Sequence, residues 1–178
     1  MIEYHDVEWG VPVHDDLKHF EFILLDSFQA GLSWQTIINK RTGFKRAFAD
    51  FDPAKIALFS SDQVEELMMN EAIIRNRLKI VGTIKNAKAF LEIQKEFNTF
   101  DRFIWQFTGG GTLQPKREKH ADLPASTAES DAMSKALKKR GFTFVGSTIC
   151  YAYMQAAGMV NDHVQECWRF DTCYEMTI

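Results

Sequence analysis

Three cysteines, an odd number, do not make a disulfide framework. The 178-residue chain carries only Cys150, Cys167 and Cys173, which reads as an intracellular protein with reduced thiols. No apolar run approaches the roughly 18 residues that a membrane-spanning helix needs, and the opening MIEYHDVEWG lacks the basic and then apolar start of a secretion signal. Excess positive charge is missing too. The formal net charge is −3, which excludes indiscriminate coating of nucleic acid but leaves room for a local basic patch. Internal repeats are absent, and no stretch makes a convincing β-hairpin. What is present is a globular composition, with 46% hydrophobic and 25% charged residues, and length enough for one domain, residues 1–178, with a real core.

Apolar residues recur at helical spacing along almost the whole chain. Leu17, Phe20, Leu24 and Phe28 form one stripe between Asp15 and Ala30. On the opposite side of that wheel lie Asp15, Lys18, His19, Asp26 and Gln29, a face expected to be solvated. Ser33 is placed to cap a helix running toward Phe48, Pro53 to open a short one, and SDQVEELMM to follow with its own cap, Ser61 or Asp62. A long helix is expected over roughly residues 74–97. TGGGTLQPKREKHADLPAST, residues 108–127, has the composition of a loop. Two helices follow, 130–139 and 147–157, joined by RGFTFVG. The fold class is all-α: a helical bundle that ends in two helices joined by a short connector, about 130–158.

That last unit offers chemistry. Gly141 stands where a helix C-terminus needs a left-handed residue, and Gly146 precedes a helix that Ser147 is placed to cap. A tight turn at a helix start presents free backbone N–H groups, a ready anion site. Lys138, Lys139 and Arg140 add positive charge, so the turn is suited to hold one or two DNA phosphates. By spacing alone, an ordinary helical hairpin with a solvated basic end is the favoured reading. In MVNDHVQECW, His163 and Cys167 stand four apart and, on a helix, share one face. An isolated pair of this kind is more often structural than metal-binding.

Six stretches taken together, YHDVEWGVP, FQAGLSW, FDPAKIA, IIRNRLKI, SKALKKRGFTFVGSTIC and MVNDHVQEC, resemble the bacterial DNA-3-methyladenine glycosylase I family. The similarity runs in order from Tyr4 to about Cys167. It implies that the unit at about 130–158, near the C-terminus of the helical bundle, is a helix–hairpin–helix and that RGFTFVG is its DNA-binding hairpin. It also implies an enzyme that flips N3-methylated adenine out of duplex DNA and hydrolyses its glycosidic bond, releasing free 3-methyladenine and leaving an abasic site. Flipping is required because the bond cannot be engaged inside the stack. A methylated base is cationic and leaves readily, so aromatic faces and a carboxylate suit it better than strong acid–base machinery. Carried over by motif, Tyr4, Trp9 and Trp34 are substrate-binding and Asp26 is the catalytic carboxylate. Gly31 and Leu32 form the tip that enters the gap left by the flipped base. Lys138, Lys139, Arg140, Gly141, Gly146 and Ser147 contact DNA. The family's structural zinc, held by two His and two Cys, places ligands at His5, His163 and Cys167. The resemblance further implies a monomer acting on chromosomal DNA in the bacterial cytoplasm.

Three departures matter. Position 26 is Asp where the family pattern has Glu, a side chain shorter by about 1.5 Å. The family's first dozen residues, with a cysteine ligand and a pocket tyrosine level with Met1, have no counterpart here. Zinc is therefore expected in a weakened site, with Cys173 or water as fourth ligand. Asn161 takes the place of the aspartate that other helix–hairpin–helix glycosylases use, as is typical of this family. The first two departures also define the rival reading: a homologue that binds damaged DNA without excising the base.

Overall fold

The computed structural model describes residues 1–176. Its helices are α1 (Ile2–Val7), α2 (Asp16–Gln29), α3 (Trp34–Ala47), α4 (Pro53–Ile56), α5 (Ser61–Met69), α6 (Arg77–Phe97), α7 (Phe100–Ile104), α8 (Ala128–Lys139), α9 (Ser147–Ala156) and α10 (Arg169–Glu175). Among the described residues the only β pairing is an isolated bridge between Leu113 and Val160. No described helix is long and apolar enough to cross a membrane. The protein is all-α, as the periodicity predicts.

Local signals fix the helix starts. Asp15 caps α2 by accepting from the Lys18 N–H at 2.8 Å, and Ser33 caps α3 by accepting from Thr36 N–H. Pro53 opens α4 behind an Asp52 cap, and Ser60 with Gln63 forms a capping box on α5. Each satisfies N–H groups that the first turn leaves unpaired. The long helix starts at Arg77 rather than at residue 74, because Asn76 adopts an extended conformation and caps it from its side chain.

α2 is the central helix, packed against α3, α6, α7 and α9. Phe20, Leu24 and Phe28 are buried as expected, but Leu17 is exposed. Phe28 meets Phe44 of α3 with ring centres 4.7 Å apart, while Phe90 of α6 stacks on Phe100 of α7 at 4.1 Å. The face expected to be solvated is only partly so: Asp15 is exposed and Lys18 and Gln29 are half-buried. His19 and Asp26 are both buried, since α9 lies across that side: Tyr153 Oη meets His19 Nδ1 at 2.7 Å. A single-helix wheel does not register a second helix covering its polar face.

The end of the chain differs from its sequence pattern. Residues 161–164 have no regular structure and 165–168 form turns, so His163 and Cys167 do not lie on a helix. Gly158, at φ +66°, ends α9, and the chain then pairs with the preceding loop: Leu113 N–H donates to Met159 O and Asn161 N–H to Leu113 O, both at 2.9 Å. Backbone bonding to a distant segment displaces the helix. The same bridge stitches loop 108–127 to the end of α9.

The α8–α9 hairpin forms as the two glycines predict. Gly141 has φ +94°, and Phe142 N–H reaches Leu137 O while Gly141 N–H reaches Lys138 O, a Schellman closure. Ser147 is not the cap. Gly146 is the N-cap of α9 and no side chain bonds to it, which leaves the first amides of α9 without a competing hydroxyl.

Candidate active site

Tyr4, on α1, is held against the bundle by an ion-pair network. Glu8 takes a bidentate pair from Arg41 of α3 at 2.8 and 2.6 Å, and Arg41 also donates to Glu21 of α2. Lys18 bridges Glu8 and Glu21 at 2.9 Å each. These contacts join three helices around one edge of a cleft of about 470 Å³, within the range of small-molecule sites.

Tyr4, Trp9, Asp26, Trp34, Gln155 and Asp162 are among the residues that line this cleft. The Tyr4 and Trp34 rings stand 5.5 Å apart, tilted by 55°. Three polar atoms here are buried without a partner inside the protein: Tyr4 Oη, Trp34 Nε1 and Asp26 Oδ2. Buried polar groups are otherwise almost always bonded, so three in one place mark a surface prepared for something else. Burial pushes the Asp26 carboxyl well above the usual carboxylate range. Burial also raises the Tyr4 phenol, helped by the negative charge of Asp26.

Asp162, next to Asn161 in the chain, lies on the wall and is fully engaged. It accepts from Tyr151 Oη, from Gln155 Nε2 at 2.9 Å and from Arg117 Nε at 3.1 Å. Asn161 is not a cleft residue: it is buried, and its amide donates to Gln114 Oε1 and Phe170 O. Gln155 and the partners of Asp162 were not foreseeable from spacing, because they meet only when α9 packs beside the loop carrying Arg117.

One wall holds the predicted metal ligands. Cys167 Sγ lies 3.6 Å from both His5 Nε2 and His163 Nδ1, and the three ligand atoms all fall within 4.8 Å of one another. The other ring nitrogens are occupied. His5 Nδ1 meets Asp6 Oδ1 at 2.7 Å, and His163 Nε2 meets Trp9 O at 3.1 Å. Burial lowers the His163 pKa to about 4, against the opposing bond to Trp9 O. Cys173 is buried but stands outside this three-atom set.

The remaining predicted residues face outward. Gly31, at φ +83°, and the partly exposed Leu32 form the tip between α2 and α3. Lys138 and Lys139 are exposed at the end of α8. Arg140 is committed elsewhere: it makes a bidentate pair with Glu96 at 2.6 and 2.9 Å and covers the Phe97 and Phe103 rings. This ion pair lies at the surface, beside the exposed end of α8.

A helical protein with an aromatic slot and an unpaired buried carboxyl is built to take in a flat, cationic ring. Comparison with known proteins narrows that class. Residues 1–170 match the family model for methyladenine glycosylase. DNA-3-methyladenine glycosylase 1 of Escherichia coli (strain K12) is 48% identical over 166 residues, 93% of this chain and 89% of that protein. DNA-3-methyladenine glycosylase of Haemophilus influenzae (strain ATCC 51907 / DSM 11121 / KW20 / Rd) is 45% identical, covering 93% and 90%. A crystal structure of 3-methyladenine DNA glycosylase I superimposes with a TM-score of 0.92 at 48% identity, over 94% of this chain and 92% of that one. The Staphylococcus aureus enzyme, whose structure describes 3-methyladenine recognition, also gives 0.92 at 31% identity, over 94% and 89%. The chain belongs to the methyladenine glycosylase family.

Proposed function

We propose that this protein is a DNA-3-methyladenine glycosylase that flips the damaged nucleotide from the duplex and hydrolyses its N-glycosidic bond. The observation that carries this reading is the unpaired Asp26 Oδ2 buried between aromatic walls. A cationic purine offers amino N–H donors and a positive ring. Asp26 accepts the donors as a carboxylate, while Tyr4, Trp9 and Trp34 give faces for stacking and cation–π attraction. The base is already a good leaving group, so selective binding of the cation supplies much of the rate and water completes hydrolysis. Gly31 and Leu32 fill the gap in the stack. The α8–α9 turn holds phosphates through the amides after Gly146 and through Lys138 and Lys139, as in a helix–hairpin–helix. Incubation with an alkylated duplex tests it: free 3-methyladenine and abasic sites are expected in equal amounts. Binding without release would instead support the damage-binding reading.

The three converging ligands fit a zinc ion. Bond lengths of about 2.3 Å to sulfur and about 2.0 Å to nitrogen, at tetrahedral angles, put ligand S and N atoms about 3.5 Å apart. Both Cys167 separations are 3.6 Å. Asp6 and Trp9 O fix the tautomers that leave His5 Nε2 and His163 Nδ1 free to ligate, the usual arrangement around a metal. Zinc here would tie α1 to the segment before α10 and support the cleft wall behind Trp9. Three protein ligands hold it less firmly than four. Metal analysis of never-chelated protein is therefore expected to find partial zinc that a mild chelator removes, and none in His163→Ala. Metal-free wild-type protein would refute this assignment.

A further inference from the structure

Lys79 is a buried cation that the proposed chemistry does not use. It is 7% exposed, and its ammonium donates to Phe28 O at 2.8 Å and Ala30 O at 2.6 Å. Among the described residues no carboxylate pairs with it; burial alone shifts its pKa, downward. Its two acceptors belong to the last turn of α2, where the final carbonyls of a helix have no intrahelical donor. Ala30, the C-cap, turns out of the helix at φ −48° and ψ 113°. The chain beyond is the exposed tip, Gly31 and Leu32. Gln29 closes the loop from the other side, its O accepting Leu32 N–H at 2.7 Å and its Nε2 donating to Leu32 O at 2.9 Å.

The same helix grips the other outward element. Gly82 of α6 packs so closely that an added Cβ would sit 2.7 Å from Thr143 Oγ1 and 2.9 Å from the Phe144 ring. Asn86 clamps the hairpin backbone, donating to Thr143 O at 3.1 Å and accepting from Thr143 N–H at 2.8 Å. Residues 79, 82 and 86 follow helical spacing along one side of α6. We infer that α6 is a strut setting the tip against the α8–α9 hairpin, and that Lys79 is the positioning residue that holds Gly31 and Leu32 at the height needed to enter the DNA stack. This rests on the reading of the tip and hairpin as DNA contacts.

Lys79→Met keeps the length of the side chain and removes its donors. Single-turnover release of 3-methyladenine from duplex is expected to fall roughly tenfold or more, while the affinity for free 3-methyladenine, read from tryptophan fluorescence, stays at the wild-type value. Lys79→Arg should recover part of the rate. Leu32→Ala completes a double-mutant cycle: if Lys79 acts through the tip, the double variant is no slower than Leu32→Ala alone. Multiplying effects, or an equal loss of free-base affinity, would overturn the inference. Amide exchange gives a readout independent of catalysis, with residues 30–33 exchanging roughly tenfold faster in Lys79→Met. Unchanged exchange there would also overturn it. If wild-type protein released no base at all, the glycosylase reading would fail, and the exchange result would still decide whether Lys79 holds the tip.

Discussion

Asp26→Asn is expected to slow release of 3-methyladenine roughly 10- to 100-fold, the equivalent of one charge-assisted hydrogen bond of about 1.5–3 kcal/mol. Asparagine keeps the size of the side chain but loses the charge and turns a donor toward the donors of the base. The same substitution should raise the melting temperature of the free protein. Burial holds the Asp26 carboxyl above its ordinary range, so the folded state keeps a proton that the unfolded chain releases. Stability contributed by this group is therefore greatest below the unfolded-state pKa and declines as pH rises toward the folded-state value. The asparagine variant has no such decline. Excision should show the opposite trend in the wild type, rising with pH as the carboxylate that receives the cation becomes accessible. Asp26→Glu, which restores the family residue, should match or exceed the wild-type rate. Single-turnover release by the three proteins on one alkylated duplex, with thermal melts across pH, is the measurement. Equal rates would remove Asp26 from the chemistry, and a melting temperature unchanged or lowered in Asp26→Asn would contradict the burial argument.

Reversing the hairpin charge should weaken DNA binding on every sequence alike. Lys138 and Lys139 are exposed and carry no ion pair among the described residues, whereas Arg140 is held by Glu96. Each phosphate contact contributes about 0.9 to the slope of log affinity against log salt. Losing two contacts should flatten that slope by about 1.8 and cost roughly 50- to 100-fold in affinity near 0.1 M salt. Lys138→Glu with Lys139→Glu, titrated with undamaged duplex at several salt concentrations, reads both numbers. Arg140→Glu serves as a contrast: it should change the slope little and lower stability instead, by breaking the Glu96 pair and uncovering two aromatic rings. An unchanged slope in the double lysine variant would take the hairpin out of the interface.

Much of this fold was legible from local chemistry. The cap at Ser33, the proline at the start of α4 and the left-handed glycine after α8 act within a few residues of themselves. Sequence spacing alone therefore placed α2 to α6 and the α8–α9 hairpin to within a few residues, but not α1, α7 or α10. The convergence of these side chains was legible for another reason: six stretches in order resemble one family, and the chain brings Tyr4, Trp9, Asp26 and Trp34 into one cleft, with His5, His163 and Cys167 in its wall.

Tertiary contact decided the rest. Asp26 and His19 share a wheel face with Lys18 and Gln29, and only the packing of α9 over that face turns two polar residues into buried ones. His163 and Cys167 converge through a turn rather than a helix, because Leu113 takes the backbone bonds of Met159 and Asn161 from a segment far away in sequence. Arg140 loses its freedom to Glu96 on another helix, and Lys79, one lysine among several on α6, becomes a helix cap because α2 ends above it. Local signals depend on neighbours a turn apart, whereas burial, ion pairing and the pKa of Asp26 depend on what the folded chain lays across each residue.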